Sequence, residues 1–310
     1  MKSLLSALIV TTYILSCLLK RTGPWNYFQI NARYFSRDKG IFSKIAIDNM
    51  IPDRWRLRQQ RLDMQFVPEE YPVFLKPEWG QNAIGIERAD TSTQFDELRL
   101  KLLTSEADYI VQEAAHESRE FEIFTTFPHA SDVSADIITV TESVNNTHRY
   151  PINGIYNNDC HYQDLTDQLD EAALLQLAGH IRELGHFGQS RLAARADSIA
   201  DLVNGEFHII ELNLFTPMPL NLLDENHSLL RKLQFIGSVS WSLAEVTKYL
   251  SHGPDTPAIY RRMLNYSRSR LKSGTAAATS LTASRSGTAA KIDTAQKKYL
   301  KTLGVLRSFL

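Results

Sequence analysis

Phe207-His208-Ile209-Ile210-Glu211-Leu212-Asn213 constrains the fold of this 310-residue chain more than any other stretch. It follows the turn pair Asn204-Gly205 and is apolar enough to need burial, which predicts a β-strand inside a sheet. Side chains alternate along a strand, so Glu211 and Asn213 share one face, about 7 Å apart along the backbone, and Leu212 faces the other way. A carboxylate in line with Phe207 and Ile209 on so apolar a strand is costly unless it is paired. Two oxygen donors on one side of a strand suit Mg²⁺, which takes a few protein oxygens and completes its shell with phosphates and water.

Other segments supply sheet and helix around this strand. The runs Val73-Phe74-Leu75, ended by Lys76-Pro77, and Tyr109-Ile110-Val111 predict two more buried strands. Between them, Thr93 is placed to cap a helix carrying Phe95, Leu98 and Leu102. Leu174, Leu177, Ile181 and Leu184 recur at helical spacing, with Gly185 as a stop. Strands and helices therefore alternate over residues 25–249, without an internal repeat. With 43% hydrophobic residues the chain can bury a large core. Its net charge of −1 gives no positive field for nucleic acid. Two cysteines, Cys17 and Cys160, make neither a disulfide framework nor a CxxC metal site and fit a reducing compartment.

Lys76 ends a buried strand and precedes a loop containing Gly80 and Gly85, whose glycines permit close approach to a ligand. A lysine beside such a loop can hold phosphate oxygens, with loop amides covering the same group; the ordinary reading is a solvated strand end. Gln112, Glu113 and Ala115 follow the strand at 109–111 and can present backbone groups to an adenine edge, and Glu120 can accept from ribose hydroxyls. Taken alone, this stretch reads better as an ordinary charged loop.

In their order and spacing, these features resemble the ATP-grasp superfamily, particularly D-alanine–D-alanine ligase-like carboxylate–amine ligases. The resemblance runs from about residue 44 to residue 224. It implies an α+β fold whose two subdomains clamp ATP. Lys44 and Lys76 would bind phosphate, the Gly80–Gly85 loop would cover it, and Gln112, Glu113 and Ala115 would form the adenine hinge. Glu120 would bind ribose, and Glu211 and Asn213 would ligate Mg²⁺. The reaction implied is phosphorylation of a carboxylate to an acyl phosphate, which an amine then attacks, with Arg191 and Arg195 as the catalytic cations. Two departures stand out. Fewer than 45 residues precede Lys44, where the family has a substrate-binding domain. The usual Arg-x-Asp-x-Arg run is here Arg191-Leu192-Ala193-Ala194-Arg195, so a metal-ligating carboxylate is missing. An ATP-binding, catalytically silent regulatory or scaffold subunit is the alternative.

Four regions are expected. Residues 1–22 form an apolar helix, residues 23–112 the N-terminal region and first subdomain, residues 113–250 the second subdomain, and residues 251–310 a linker with a C-terminal basic helix. Residues 3–19 lack charge, and Lys20-Arg21 outweigh Lys2, which places the body on the cytoplasmic side if this helix anchors in a membrane. A core helix and a lipoprotein signal ending at Cys17 remain the other readings of that segment. The partners expected are small carboxylate and amine substrates, with an oligomer left open and nucleic acid excluded.

Overall fold

All three apolar runs are strands, and the strands collect into two antiparallel sheets. A computed structural model describes residues 2–105, 107–250 and 259. β1 (Gln59–Arg61), β2 (Val73–Pro77), β3 (Glu87–Ala89) and β4 (Tyr109–Glu113) form a sheet in the order β1-β4-β2-β3. β5 (Arg119–Thr126), β6 (Ile137–Val144), β7 (His161–Asp164), β8 (Gln189–Ala196) and β9 (His208–Asn213) form the other, in the order β7-β6-β5-β8-β9. With α1 (Lys2–Leu19), α2 (Lys44–Asp48), α3 (Ser92–Leu103), α4 (Glu171–Leu184), α5 (Ile199–Asn204) and α6 (Leu229–Lys248), the class is the α+β fold expected. The linker and helix expected over 251–310 lie outside the described residues, apart from Ile259.

The helices begin and end where local chemistry satisfies their open backbone groups. The cap of α3 is Thr91 rather than Thr93: its extended backbone lets Oγ1 accept from the Gln94 amide at 3.3 Å, so the helix starts at Ser92. Phe95 and Leu102 are buried, as the pattern requires. Asp170 caps α4 by accepting from the Ala173 amide at 2.8 Å, and Leu177, Ile181 and Leu184 pack inward. Gly185 ends α4 because an added Cβ would lie 2.8 Å from Tyr34 Oη. Asn204-Gly205, expected as a turn, is the left-handed end of α5, which joins β8 to β9.

The second sheet separates two environments. Along β5, Phe121 and Ile123 enter the main core with Trp55, Leu177 and Ile181, and Glu120 and Glu122 project from the opposite face. Along β8, Leu192 and Ala194 are in that core, and Arg191, Ala193 and Arg195 face away from it. On β9 the alternation is broken. Ala193 pairs with Glu211, and Ala194 with Ile209, so Ile210 is an extra residue in a bulge. The bulge turns Ile209 into the core and Glu211 to the polar face, where strict alternation would have put both on one side.

α1 docks along α6, with Tyr13 and Cys17 buried against Val239, Leu243 and Ala244, and Leu5 near Ile236. Leu4, Leu15, Leu18 and Leu19 remain exposed on its outer side. Among the described residues no single helix is long and apolar enough to cross a membrane. Residues 4–19 and 24–34 pass that test only together, as a pair bent by 109°.

Candidate functional site

The polar face of the second sheet and the face of the first that carries Phe74, Lys76 and Gln112 line one cleft. Leu57, Phe74, Ala115 and Ile210 contribute apolar lining, and Lys76, Glu120, Glu122, Arg191, Arg195 and Glu211 charged lining. Gln112 and Glu113 also line it, and Lys44 reaches an adjoining small pocket shared with Lys76, Gln112 and Glu211.

Lys76 is 4% exposed at the end of β2. Its Nζ donates to Gln112 Oε1 at 2.5 Å and to the carbonyl of the bulged Ile210 at 3.4 Å. Gln112 Nε2 donates to that same carbonyl at 3.2 Å. The bulge thus turns a backbone acceptor toward the first sheet and ties the two sheets together. Burial lowers the Lys76 pKa to about 8, against the upward pull of Glu211, Glu120 and Asp48 and with the help of Lys44.

Lys44 is the first residue of α2, whose start is fixed by Ser43 accepting from the Ala46 amide. Its Nζ lies 2.9 Å from Glu211 Oε1 and donates to Gly80 O at 3.0 Å. Glu211 Oε2 accepts from Asn213 Nδ2 at 3.1 Å. Burial would raise the Glu211 pKa, but Lys44 and Lys76 outweigh it and hold the carboxyl at about 2. The pairing that the apolar strand demands is therefore met by Lys44 directly, with the field of the nearby Lys76 adding to it.

The loop after β2 is tightly wound, with Asn82, Ala83 and Gly85 at φ near +58°, +57° and +78°. Gln81 Nε2 donates to Phe215 O at 2.9 Å, and Asn82 and Ala83 lie against Gly154, where a Cβ would meet Ala83 Cβ at 3.1 Å. Gly80 and Gly85 belong to this loop and do not line the cleft themselves; Asn82 and Ala83 do.

Arg191 and Arg195 project from β8 on either side of Ala193. Arg191 Nε lies 3.1 Å from Glu122 Oε2, and its Nη1 donates to Met218 O at 3.1 Å. Arg195 Nη2 donates to the carbonyls of Ser118 and Arg149 at 3.2 and 3.1 Å. Asp197 accepts from the Ser118 amide at 2.8 Å, away from the cleft. Burial pushes Glu120 up to about 7 against Arg195, Asn153 and Lys76, and Glu122 up to about 7 against Arg191. Burial likewise pushes Asp48, behind Lys76, up to about 6. Glu122, Asp48 and Tyr162 escaped the sequence reading. For Glu122 the signal was present: Glu120-Phe121-Glu122-Ile123 alternates, so Glu122 had to share the Glu120 face.

No family model matches the sequence, and no curated protein matches it. Several solved structures are similar to it. They include an L-amino acid ligase from Bacillus licheniformis (15% identity, TM-score 0.43, 65% of this chain and 47% of that one). A D-alanine–D-alanine ligase from Bacillus anthracis gives 11% identity and a TM-score of 0.44, over 72% of this chain and 69% of that one. The VanG D-Ala:D-Ser ligase from Enterococcus faecalis gives 15% and 0.45, over 66% and 60%. The chain spans about half the length of the first of these.

Proposed function

We propose that this chain is an ATP-dependent carboxylate–amine ligase of the ATP-grasp kind, with ATP bound in the cleft between its two sheets. The observation that carries this reading is the charge arrangement at Glu211, which Lys44 pairs directly and whose carboxyl Lys76, buried in the same cleft, also helps hold ionised. Leu57, Phe74, Ala115 and Ile210 are apolar lining of the kind adenine needs, and Gln112, Glu113 and Ala115, in the same cleft, are assigned to its polar edge. Glu120, on β5, lines the same cleft and is assigned to the ribose. Lys44 and Lys76 are placed for the phosphates under the 80–85 loop, and Arg191 and Arg195 for the transferring phosphoryl group and the carboxylate it activates.

Glu211 and Asn213 offer hard oxygen donors on one strand face, so the residues present fit Mg²⁺. Bound there, it would neutralise charge on the phosphates. Water exclusion, which protects an acyl phosphate, falls to the loop pinned by Gln81 and packed against Gly154. A second reading, an ATP binder without turnover, is favoured by one observation: Arg191 is already paired with Glu122, and Ala193 presents no carboxylate. ATP use places the body on the cytoplasmic side, and the exposed Leu4, Leu15 and Leu18 of α1 support contact with a membrane surface.

Mg²⁺-dependent ADP release over pooled amino acids and other carboxylates separates these readings. Turnover by one pool supports the ligase and narrows its substrate; nucleotide binding without turnover by any pool supports the silent protein. Absence of nucleotide binding in calorimetry overturns both.

A further inference from the structure

Three adjacent strands place Glu122 (β5), Ala193 (β8) and Glu211 (β9) in one row across the sheet, in direct register. Their side chains face the same cleft. Two strand spacings separate the outer pair, about 10 Å between backbones, with Ala193 between them in register. Glu211 holds its position through Lys44 and Asn213. Glu122 is 9% exposed, and its Oε2, 3.1 Å from Arg191 Nε, makes no well-formed hydrogen bond. Such a carboxylate is costly to keep in a buried site unless a further positive charge completes its environment.

We propose that Glu122 and Glu211 cradle one divalent cation above Ala193, so that the carboxylate missing from β8 is supplied by its neighbour β5. Glutamate is one methylene longer than aspartate, which gives it the reach to lean over the alanine from the next strand. Asn213, one register step away opposite Arg191, adds an amide oxygen. Hard oxygens from two strands, with remaining positions open to phosphate and water, are the donor set of Mg²⁺ or Mn²⁺. Among the described residues no group of three His, Cys, Asp or Glu side chains could hold a metal ion; the cradle is two carboxylates and an amide. The inference rests on the nucleotide reading above for its biological setting, but not for its test.

The test is Mn²⁺ binding to the full chain, read from the electron paramagnetic resonance signal of free Mn²⁺, with and without a β,γ-methylene ATP analogue. Glu122→Gln, nearly isosteric, is expected to weaken Mn²⁺ binding about tenfold or more, the scale of one lost charged contact. Moving the carboxylate to the central strand, in Glu122→Gln with Ala193→Asp, is expected to restore it to within about threefold. Melting curves confirm that each variant is folded, and Glu122→Asp supplies a second, shorter carboxylate that should bind Mn²⁺ with intermediate affinity. Wild-type Mn²⁺ affinity in Glu122→Gln, or no restoration in the double variant, overturns the cradle. If Glu122→Gln keeps its Mn²⁺ affinity and instead raises the KM of an amine substrate, Glu122 binds the amine and the cradle is likewise overturned. Failure of the analogue to bind wild type, with the Mn²⁺ results as expected, would remove the ligase reading and leave the cation site standing.

Discussion

Lys76 is a buried cation with no carboxylate in direct contact; its partners are an amide oxygen and a backbone carbonyl. That arrangement leaves its charge available to a ligand, at the cost of a pKa lowered to about 8 by burial. Lys76→Ala is therefore expected to weaken Mg·ATP binding by about ten- to a hundredfold, the loss of a charge-assisted phosphate contact. Isothermal calorimetry checks this, and unchanged affinity would remove Lys76 from the nucleotide site. Glu211 shows the opposite balance. It is held at about 2 by Lys44 and Lys76 in spite of its burial, so it stays ionised at any physiological pH. Glu211→Gln is expected to abolish the Mg²⁺ dependence of nucleotide binding, measured as the ratio of affinities with and without Mg²⁺. A ratio equal to wild type would place the cation elsewhere.

Among the elements, α1 is the one whose sequence leaves its role open. Apolar on all sides, it buries Leu5, Tyr13 and Cys17 against α6 and the sheet and leaves Leu4, Leu15, Leu18 and Leu19 facing outward. The inner face makes α1 part of the body. The outer stripe is the part free to meet a membrane surface. Leu15→Glu with Leu18→Glu changes only that stripe, so melting temperature should stay within a few degrees, the effect expected of surface changes of about 0.5 kcal/mol. Cosedimentation with vesicles of anionic lipid should fall. Equal cosedimentation of variant and wild type would remove the membrane role and leave α1 as a core helix. The 80–85 loop and β9 are the other decisive elements, because a left-handed winding in one sets Asn82 and Ala83 against the cleft and a bulge in the other turns Glu211 into it.

At the scale of the whole molecule, the cleft sets Lys44, Lys76, Arg191 and Arg195 against Asp48, Glu120, Glu122 and Glu211, and this balance makes stability depend on pH. Glu120 and Glu122 titrate near 7 and Asp48 near 6 in the folded protein, whereas unfolded carboxyls titrate near 4. Over that window the folded state holds protons that the unfolded state has released, so stability falls as pH rises from about 4 to about 7. His208, raised by its hydrogen bond with Glu117, acts in the same direction: its contribution is present at low pH and lost as pH rises through its folded value. Scanning calorimetry at fixed ionic strength should show a melting temperature that decreases between pH 5.5 and pH 8. A flat or rising profile would mean that these carboxylates are ionised in the folded protein throughout.

The order of the apolar runs, the burial of the strand that carries Lys76 and the shared strand face of Glu211 and Asn213 were legible as sequence, because period-two alternation is a local property of the chain. The sequence also showed that a carboxylate on so apolar a strand needed a partner, but it could not say which, since Lys44 and Lys76 approach from elements more than a hundred residues away. Strict alternation put Glu211 on the same face as Ile209; only pairing with β8, which forces Ile210 into a bulge, sends one to the core and the other to the cleft. The position of Glu122 beside Ala193 is likewise a matter of register between strands some seventy residues apart. Local chemistry determined which segments become strands and helices, and the tertiary structure decided which charges meet, because inter-strand register and bulges are fixed by packing on the far side of the sheet.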